Sequence, residues 1–327
     1  MNVLVIGLGS MGKRRIRLIK NNMQGINLYG CDISSDRRQE VADLFGIKSF
    51  TSMSEAFSAV SFEAAFVCAA PLAHREIILE CLEHNLHVFT ELNLVADGYD
   101  TMVKLAKKKN RILFLSSTFL YRKDVAYITK KAKGVKTSVN YIYHVGQYLP
   151  DWHPWESVKD FFVAEKRTNG CREIFAIELP WIIEAFGMVK ETTTSKSNLT
   201  SLNLGYPDNY TVIIEHENGN RGVLCVDIVS RSPVRRLEVF SEDMHIFWEG
   251  NPDSLFTYNL DTKKNEKIET YDKVEKDTKY SHTIIENAYL EEIQDFFKSI
   301  QEETKTRYSF EKDKEVLAII DKIEGVL

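Results

Sequence analysis

Six residues near the start of the chain constrain its fold more than any other stretch. Gly7-Leu8-Gly9-Ser10-Met11-Gly12 follows the apolar run Val3-Leu4-Val5-Ile6 and opens a helical pattern over residues 11–21. A short apolar run ahead of glycines reads as a buried strand, and glycines at this spacing between strand and helix meet three steric demands. The first makes a tight turn, the second lets a ligand approach the backbone, and the third lets helix and strand pack closely. The helix N-terminus that follows offers N–H groups and a partial positive charge, which suits phosphate. A second apolar run over residues 25–31 ends at Asp32, 25 positions after Gly7. An acid placed there accepts hydrogen bonds from ribose hydroxyls. Together these features predict a dinucleotide site built from Gly7, Leu8, Gly9, Ser10, Met11, Gly12 and Asp32. NAD is favoured, with NADP as the alternative, because Arg37 and Arg38 follow the acid closely and either one reaches a 2′-phosphate or stacks on adenine.

The same alternation continues over the first 120 residues. Apolar runs at 64–68, 87–89 and 112–115 alternate with helical patterns at 36–45, 74–83 and 99–109. Such runs predict a parallel sheet covered on both faces. After Leu120 the pattern changes. Residues 137–148 are β-rich, and 169–186 form an apolar, helix-length stretch interrupted by Pro180. Residues 210–216 and 221–229 flank Asn218-Gly219, a strong hairpin signal. Further hairpins are expected at 237–240/245–248 and 255–260/267–271, and helices at 284–301 and 310–323. The fold class is therefore α/β. A Rossmann domain over 1–120 precedes an α+β domain over 121–327 with a mostly antiparallel, open sheet.

A chain of 327 residues is long for a single core, which usually stops growing at ~250–300 residues. The net charge of -5 with interspersed signs argues against a nucleic-acid partner. No run approaches the ~20 apolar residues that span a bilayer. No secretory leader is visible, since Lys13, Arg14 and Arg15 follow rather than precede the first apolar run. The five cysteines have no CxxC spacing, and Cys31, Cys68 and Cys225 sit in apolar runs. We expect a reduced, cytoplasmic protein with no metal site.

Three further segments extend the pattern: Ala69-Ala70-Pro71-Leu72-Ala73-His74, residues 81–91 ending in Phe89-Thr90-Glu91, and residues 287–297 ending in Phe296-Phe297. With the N-terminal glycines, these resemble the glucose–fructose oxidoreductase/inositol dehydrogenase (GFO/IDH/MocA) family over nearly the whole chain. The resemblance implies hydride transfer between a nicotinamide and a sugar, cyclitol or nucleotide sugar. It also implies a second-domain sheet that forms an oligomer interface. By resemblance Ala69, Pro71 and His74 belong to the loop and helix flanking the cofactor, and Glu91 to the nicotinamide ribose. The stretch Gly146-Gln147-Tyr148-Leu149-Pro150-Asp151-Trp152-His153-Pro154-Trp155 is similar to a branch associated with bacterial surface-sugar gene clusters.

The chain departs from that pattern where protons move. The family's Glu-Lys-Pro triplet is here Glu91-Leu92-Asn93, and leucine carries no proton. Where the family has an Asp and a His on one helix, alignment puts Ile174 and Ile177. Alcohol oxidation needs a base near the hydroxyl, so other residues become candidates. Glu173 and Glu178 lie five apart, about 140° around a helix, and so face different directions. Burial of Glu178 in its apolar stretch would raise its pKa, although a structural partner such as Arg172 is an equal expectation. His153, between Trp152 and Trp155, is a third proton carrier, and the two indoles would stack on a sugar face. Arg172 would bind a substrate carboxylate or phosphate.

Three readings follow. The first is an NAD(P)-dependent oxidoreductase acting on CH–OH groups with atypical acid–base residues. The second is a non-catalytic NAD-binding regulatory or assembly protein, and the third an elimination enzyme working through transient oxidation. Val212, Ile214, Val223, Cys225, Val239 and Phe247 are taken as the apolar face of an open sheet that pairs copies into a homodimer or homotetramer.

Overall fold

A computed structural model describes residues 1–152, 157–276 and 283–326. The chain divides into two compact units, one of Met1–Ser117 with Tyr289–Lys314 and one of Thr118–Ala288 with Glu315–Leu327. The expected division at 120/121 thus becomes 117/118, and a late segment joins the first unit.

The first unit alternates strand and helix: β1 (Asn2–Ile6), α1 (Ser10–Asn22), β2 (Asn27–Cys31), α2 (Ser35–Phe45), β3 (Ser49–Phe50), α3 (Met53–Ala59), β4 (Ala64–Val67), α4 (His74–Glu83), β5 (His87–Thr90), α5 (Tyr99–Lys109) and β6 (Leu113–Leu115). The six strands run in the order β3-β2-β1-β4-β5-β6, with every pair parallel. Val3, Leu4, Val5 and all of β4 are inaccessible to solvent, as expected of unbroken apolar runs in a sheet covered on both faces. Local caps punctuate the helices. Ser34 accepts the Arg37 N–H at the start of α2, and Ser52 accepts the Glu55 N–H at the start of α3. β3 and α3 were not legible in the sequence, because two and seven residues are too short to show a period. Phe66, Phe89 and Phe114 stack across β4, β5 and β6, and Phe296 packs edge-on against all three. This aromatic cluster is why the late segment belongs to the first unit.

The second unit holds α6 (Lys123–Gly134), β7 (Asn140–Gly146), α7 (Gly170–Phe186), β8 (Val189–Ser197), β9 (Asn209–His216), β10 (Arg221–Asp227), β11 (Val234–Ser241), β12 (Met244–Trp248), β13 (Phe256–Asn259) and β14 (Lys264–Lys267). Two closing helices, α8 (Glu286–Glu302) and α9 (Phe310–Glu324), each divide between the units. Eight strands run in the order β14-β13-β12-β11-β7-β10-β9-β8. Only the β7/β10 pair is parallel. The three expected hairpins form. The third has its return strand at Lys264–Lys267 rather than 267–271, because the Asn259 side chain accepts the N–H groups of Asp261 and Thr262 and closes the turn early. Helix α6 and strand β8 went unread; β8 is a polar, Thr-rich edge strand with mostly exposed side chains.

Helix α7 runs through Pro180. The lost backbone hydrogen bond is offset by aromatic packing onto the sheet: Phe175 on Tyr210, Trp181 on Tyr143 and Trp248, Phe186 on Tyr141. That packing fixes the two faces of the sheet and corrects the expected apolar face. Val212, Ile214 and Val239 point inward and are fully buried. The outer face carries Ile142 and Ile213, each 50% exposed, with Val223, Cys225 and Phe247 partly exposed beside them. A one-residue error of parity moves a whole strand's side chains to the opposite face.

Candidate functional site

In the first unit the glycine loop has the geometry that phosphate binding demands. Gly7 has φ +90°, and a Cβ there would stand 2.6 Å from the Cys68 carbonyl. A Cβ on Gly12 would stand 2.0 Å from the Gly7 oxygen, so helix and turn touch there. A Cβ on Gly9 would meet nothing within 4 Å, so the backbone at Gly9 faces open space. Helix α1 starts at Ser10 with no side-chain cap and no acid in its first turn, which leaves its positive end available to an anion. These loops follow the C-terminal ends of the central strands β1 and β4, where strand order reverses and α/β sheets place their ligands.

Asp32 closes one side of this loop. Its Oδ2 accepts the Leu8 N–H at 2.7 Å and its Oδ1 the Ser34 N–H at 2.8 Å. Two bonds leave further acceptor capacity on a carboxylate, so the group is held in place and still able to receive hydroxyls. Arg37 extends into solvent, with Nη1 3.7 Å from Asp32 Oδ2 and a side chain 52% exposed. Arg38 bonds the carbonyls of Asp32 and Ile33. Of the two arginines, Arg37 is the one placed to meet a ligand.

The loop after β4 is organised by His74. Its Nε2 lies 2.9 Å from the Ala69 carbonyl and its Nδ1 2.5 Å from the Asn93 amide oxygen, with the Thr90 hydroxyl at 3.3 Å. Burial lowers the imidazole pKa against the pull of Asn93 and the Ala69 carbonyl. Pro71 is buried at the start of a short 3-10 turn that leads into α4. The Asn93 side chain thus clamps the loop from within. Leu92 beside it offers no proton.

Glu91 belongs to a buried ionic cluster. Arg15 Nε bonds Glu91 Oε1 at 2.6 Å, and Arg15 Nη2 bonds Glu91 Oε2 at 3.2 Å and Glu292 Oε2 at 2.8 Å. Glu292 also accepts the Ser117 N–H and the Ser116 hydroxyl. Burial raises the Glu292 pKa against the opposing pull of Arg15. Arg15 and Glu292 went unnoticed in the sequence. A basic triplet at 13–15 reads as surface charge, and nothing local marks Arg15 as the member that turns inward.

In the second unit Glu173 and Glu178 of α7 have opposite surroundings. Glu178 is fully buried and saturated with donors: Tyr143 Oη and Trp181 Nε1 at 2.7 Å each, and Arg235 through Nη2 at 2.7 Å and Nε at 3.1 Å. Its structural partner is Arg235, not Arg172 as the sequence suggested. Glu173 lies one turn into the helix with Oε2 buried and without a hydrogen-bond partner among the described residues. Desolvation alone pushes its carboxyl up from 4.5 to about 7, so it exchanges protons near neutrality.

Arg172 is tied down. Its guanidinium meets Glu324 at 2.5 Å and Asp321 at 2.7 Å, and the Asn169 cap also bonds Glu324. The expected substrate contact is thereby corrected to a clamp between α7 and the end of α9. Trp152 is partly buried, its indole N–H bonded to the Gln147 carbonyl at 3.0 Å. His153 and Trp155 lie outside the described residues.

Comparison with known proteins agrees with this geometry. Residues 1–117 match the family model GFO_IDH_MocA, described as an oxidoreductase family with an NAD-binding Rossmann fold. Across its length the chain is similar to a myo-inositol 2-dehydrogenase of Thermotoga maritima, 22% identical, with 98% of this chain and 94% of that protein covered. Its fold is that of a UDP-N-acetylglucosamine 3-dehydrogenase from Acidithiobacillus ferrooxidans, with a TM-score of 0.77, 15% identity, and 100% and 97% of the two chains covered. It is also that of a levoglucosan dehydrogenase solved with NADH and L-sorbose, with a TM-score of 0.81, 16% identity, and 99% and 95% covered. Among the described residues no helix is long and apolar enough to cross a membrane.

Proposed function

On the premise that the chain, through residues 1–117, belongs to the GFO/IDH/MocA oxidoreductase family with its NAD-binding Rossmann fold, we propose that it oxidises or reduces a CH–OH carbon of a sugar, cyclitol or nucleotide sugar. The observation that carries this reading is the glycine loop open at Gly9 and closed at Gly7 and Gly12, with the Asp32 carboxylate bound beside it. Bound NAD supplies the hydride acceptor or donor. The protein supplies the cradle for the phosphates, the acid for the ribose and a group for the hydroxyl proton. The names of the inositol, UDP-sugar and anhydrosugar dehydrogenases above support a polyhydroxylated substrate.

We assign the proton to Glu173. Of Glu173 and Glu178, it is the one whose carboxyl keeps a buried oxygen without a hydrogen-bond partner among the described residues, whereas Glu178 is held by Tyr143, Trp181 and Arg235. His153 is the alternative carrier. A second reading, NAD binding without turnover, draws on Leu92, Ile174 and Ile177, which by resemblance take the positions of the family's proton-transfer side chains.

Fluorescence titration with NADH and NADPH, followed by addition of sugars, cyclitols and nucleotide sugars, separates these readings. NADH is expected to bind more tightly than NADPH, and the reduced-nicotinamide signal to fall when a keto form of the correct sugar is added. Asp32→Ala removes a charged hydrogen-bond acceptor worth about 1.5–3 kcal/mol, so NADH affinity should drop roughly 10- to 100-fold. Tight NADH binding that no sugar perturbs would favour the non-catalytic reading, and no binding of either nucleotide would remove both.

We infer further that the protein works in the cytoplasm, with its cysteines as thiols, and that copies pair across the outer sheet face as a homodimer or homotetramer. The half-exposed Ile142 and Ile213 beside partly exposed Val223 and Phe247 support this pairing. Light scattering should give a multiple of the chain mass for the wild type and a smaller particle for Ile213→Glu. A monomeric wild type would refute the pairing.

A further inference from the structure

On the outer face of the eight-stranded sheet, two neighbouring strands bring an imidazole, a thiol and a carboxylate together. β7 and β10 pair in parallel, with Cys225 opposite His144 and Asp227 opposite Gly146. Cys225 and Asp227 are two apart on one strand and so share its outer face. The donor atoms of His144, Cys225 and Asp227 all lie within 4.8 Å of one another, and His144 Nε2 is 2.7 Å from Asp227 Oδ2. Gly146 makes room for the carboxylate, since a Cβ there would stand 2.4 Å from Asp227 Oδ2.

The carboxylate is also oriented from behind. Oδ1 accepts the N–H groups of Val229 at 2.8 Å and Ser230 at 2.7 Å, and Oδ2 accepts the Ser230 hydroxyl at 3.0 Å. The aspartate side chain is 5% exposed and the histidine 39%, so the cluster has an anchored base and an open mouth. The nearest cation by register is Arg236, opposite His144 on β11, and its Nε lies 3.4 Å from Glu249.

We propose that His144, Cys225 and Asp227 form a binding site for a divalent transition metal of the zinc type. One nitrogen, one sulfur and one oxygen donor match zinc and its neighbours, whereas magnesium and calcium take oxygen alone. Three protein ligands leave a fourth position for a further group. Hydrogen bonds behind a ligating carboxylate are the usual outer support of such sites. Binding exchanges the Cys225 thiol proton for the metal–sulfur bond and releases that proton to solvent. Ligand bonds of about 2.0–2.3 Å require His144 and Asp227 to part slightly, and the exposed imidazole can move. This inference does not depend on the cofactor reading.

Cobalt(II) added to the metal-free, reduced full-length chain tests it. The expected result is saturation at one cobalt per chain with a thiolate-to-cobalt charge-transfer band, reversed by zinc. Cys225→Ser should abolish the band, His144→Ala should weaken binding by more than about 100-fold, and Ser230→Ala by about 10- to 100-fold. Circular dichroism establishes that each variant is folded, and the surface-facing His144→Ala decides the matter if Cys225→Ser does not fold. Absence of stoichiometric binding, or a band that survives both the Cys225 and the His144 substitution, would overturn the site.

Discussion

Glu173→Gln is expected to lower turnover by about 10²–10⁴-fold while leaving NADH affinity unchanged. Glutamine keeps the shape of the side chain and removes the proton exchange. For the wild type in the oxidative direction, the carboxylate must accept the hydroxyl proton. Since burial lifts the group to about 7, kcat/KM should rise as pH passes through that value, and the residual activity of the variant should lose this limb. Stability gives an independent readout. A carboxyl lifted in the folded state binds its proton more tightly there than in the unfolded chain. Stability from this group is therefore full below the unfolded value near 4.5 and declines as pH rises to about 7, by at most about 3 kcal/mol. Glu173→Gln removes that decline, so the variant should melt above the wild type at pH 8 and close to it at pH 4. A variant with wild-type turnover and an unchanged pH profile would move the proton to His153 or sink the catalytic reading.

Arg15→Met is expected to destabilise the first unit by about 3–5 kcal/mol, because it strands buried carboxylates without their cation. Arg15 is fully buried and holds Glu91 and Glu292 together. Once the cation is gone, burial and the charge of Glu91 push the Glu292 carboxyl upward without opposition, so the unfolded chain ionises first as pH rises. The variant's deficit should grow between about pH 4 and pH 7 and shrink again in acid. Urea midpoints at pH 5 and pH 8 measure this. A loss under about 1 kcal/mol, the size for an exposed pair, would mean that the cluster is solvated and does not position Glu91.

Much of the first unit is legible in the sequence alone. The strand, the glycine turn and the acid are local in sequence, and their steric meaning follows from backbone geometry alone. Gly7 turns with a positive φ and Gly12 packs tightly on the turn, the steric roles their spacing implied. The hairpin at Asn218-Gly219 was equally local, with Gly219 at φ +87° as the turn requires. Periodicity also set the existence and type of most elements, though not of β3 and α3, which are short, or of β8, which is polar.

Side-chain partners were another matter. Arg15 and Glu292 are 277 residues apart, and no local pattern couples them. Glu173 and Glu178 look alike in sequence, yet one was left with an unengaged oxygen and the other enclosed by Arg235, Tyr143 and Trp181, because α7 docks on the sheet in a single rotational setting. Arg172 was read as a substrate contact and proved to be a clamp on α9. The absence of a CxxC spacing argued against a metal site, and the cluster proposed here draws its ligands from two strands that pair only in the folded sheet. The sequence by itself determined which backbone shapes were possible and where a nucleotide's phosphates could rest, since those depend on neighbours along the chain. The tertiary structure decided which charges are buried, which are neutralised and which stay available for chemistry, since desolvation and pairing depend on groups that only folding brings together.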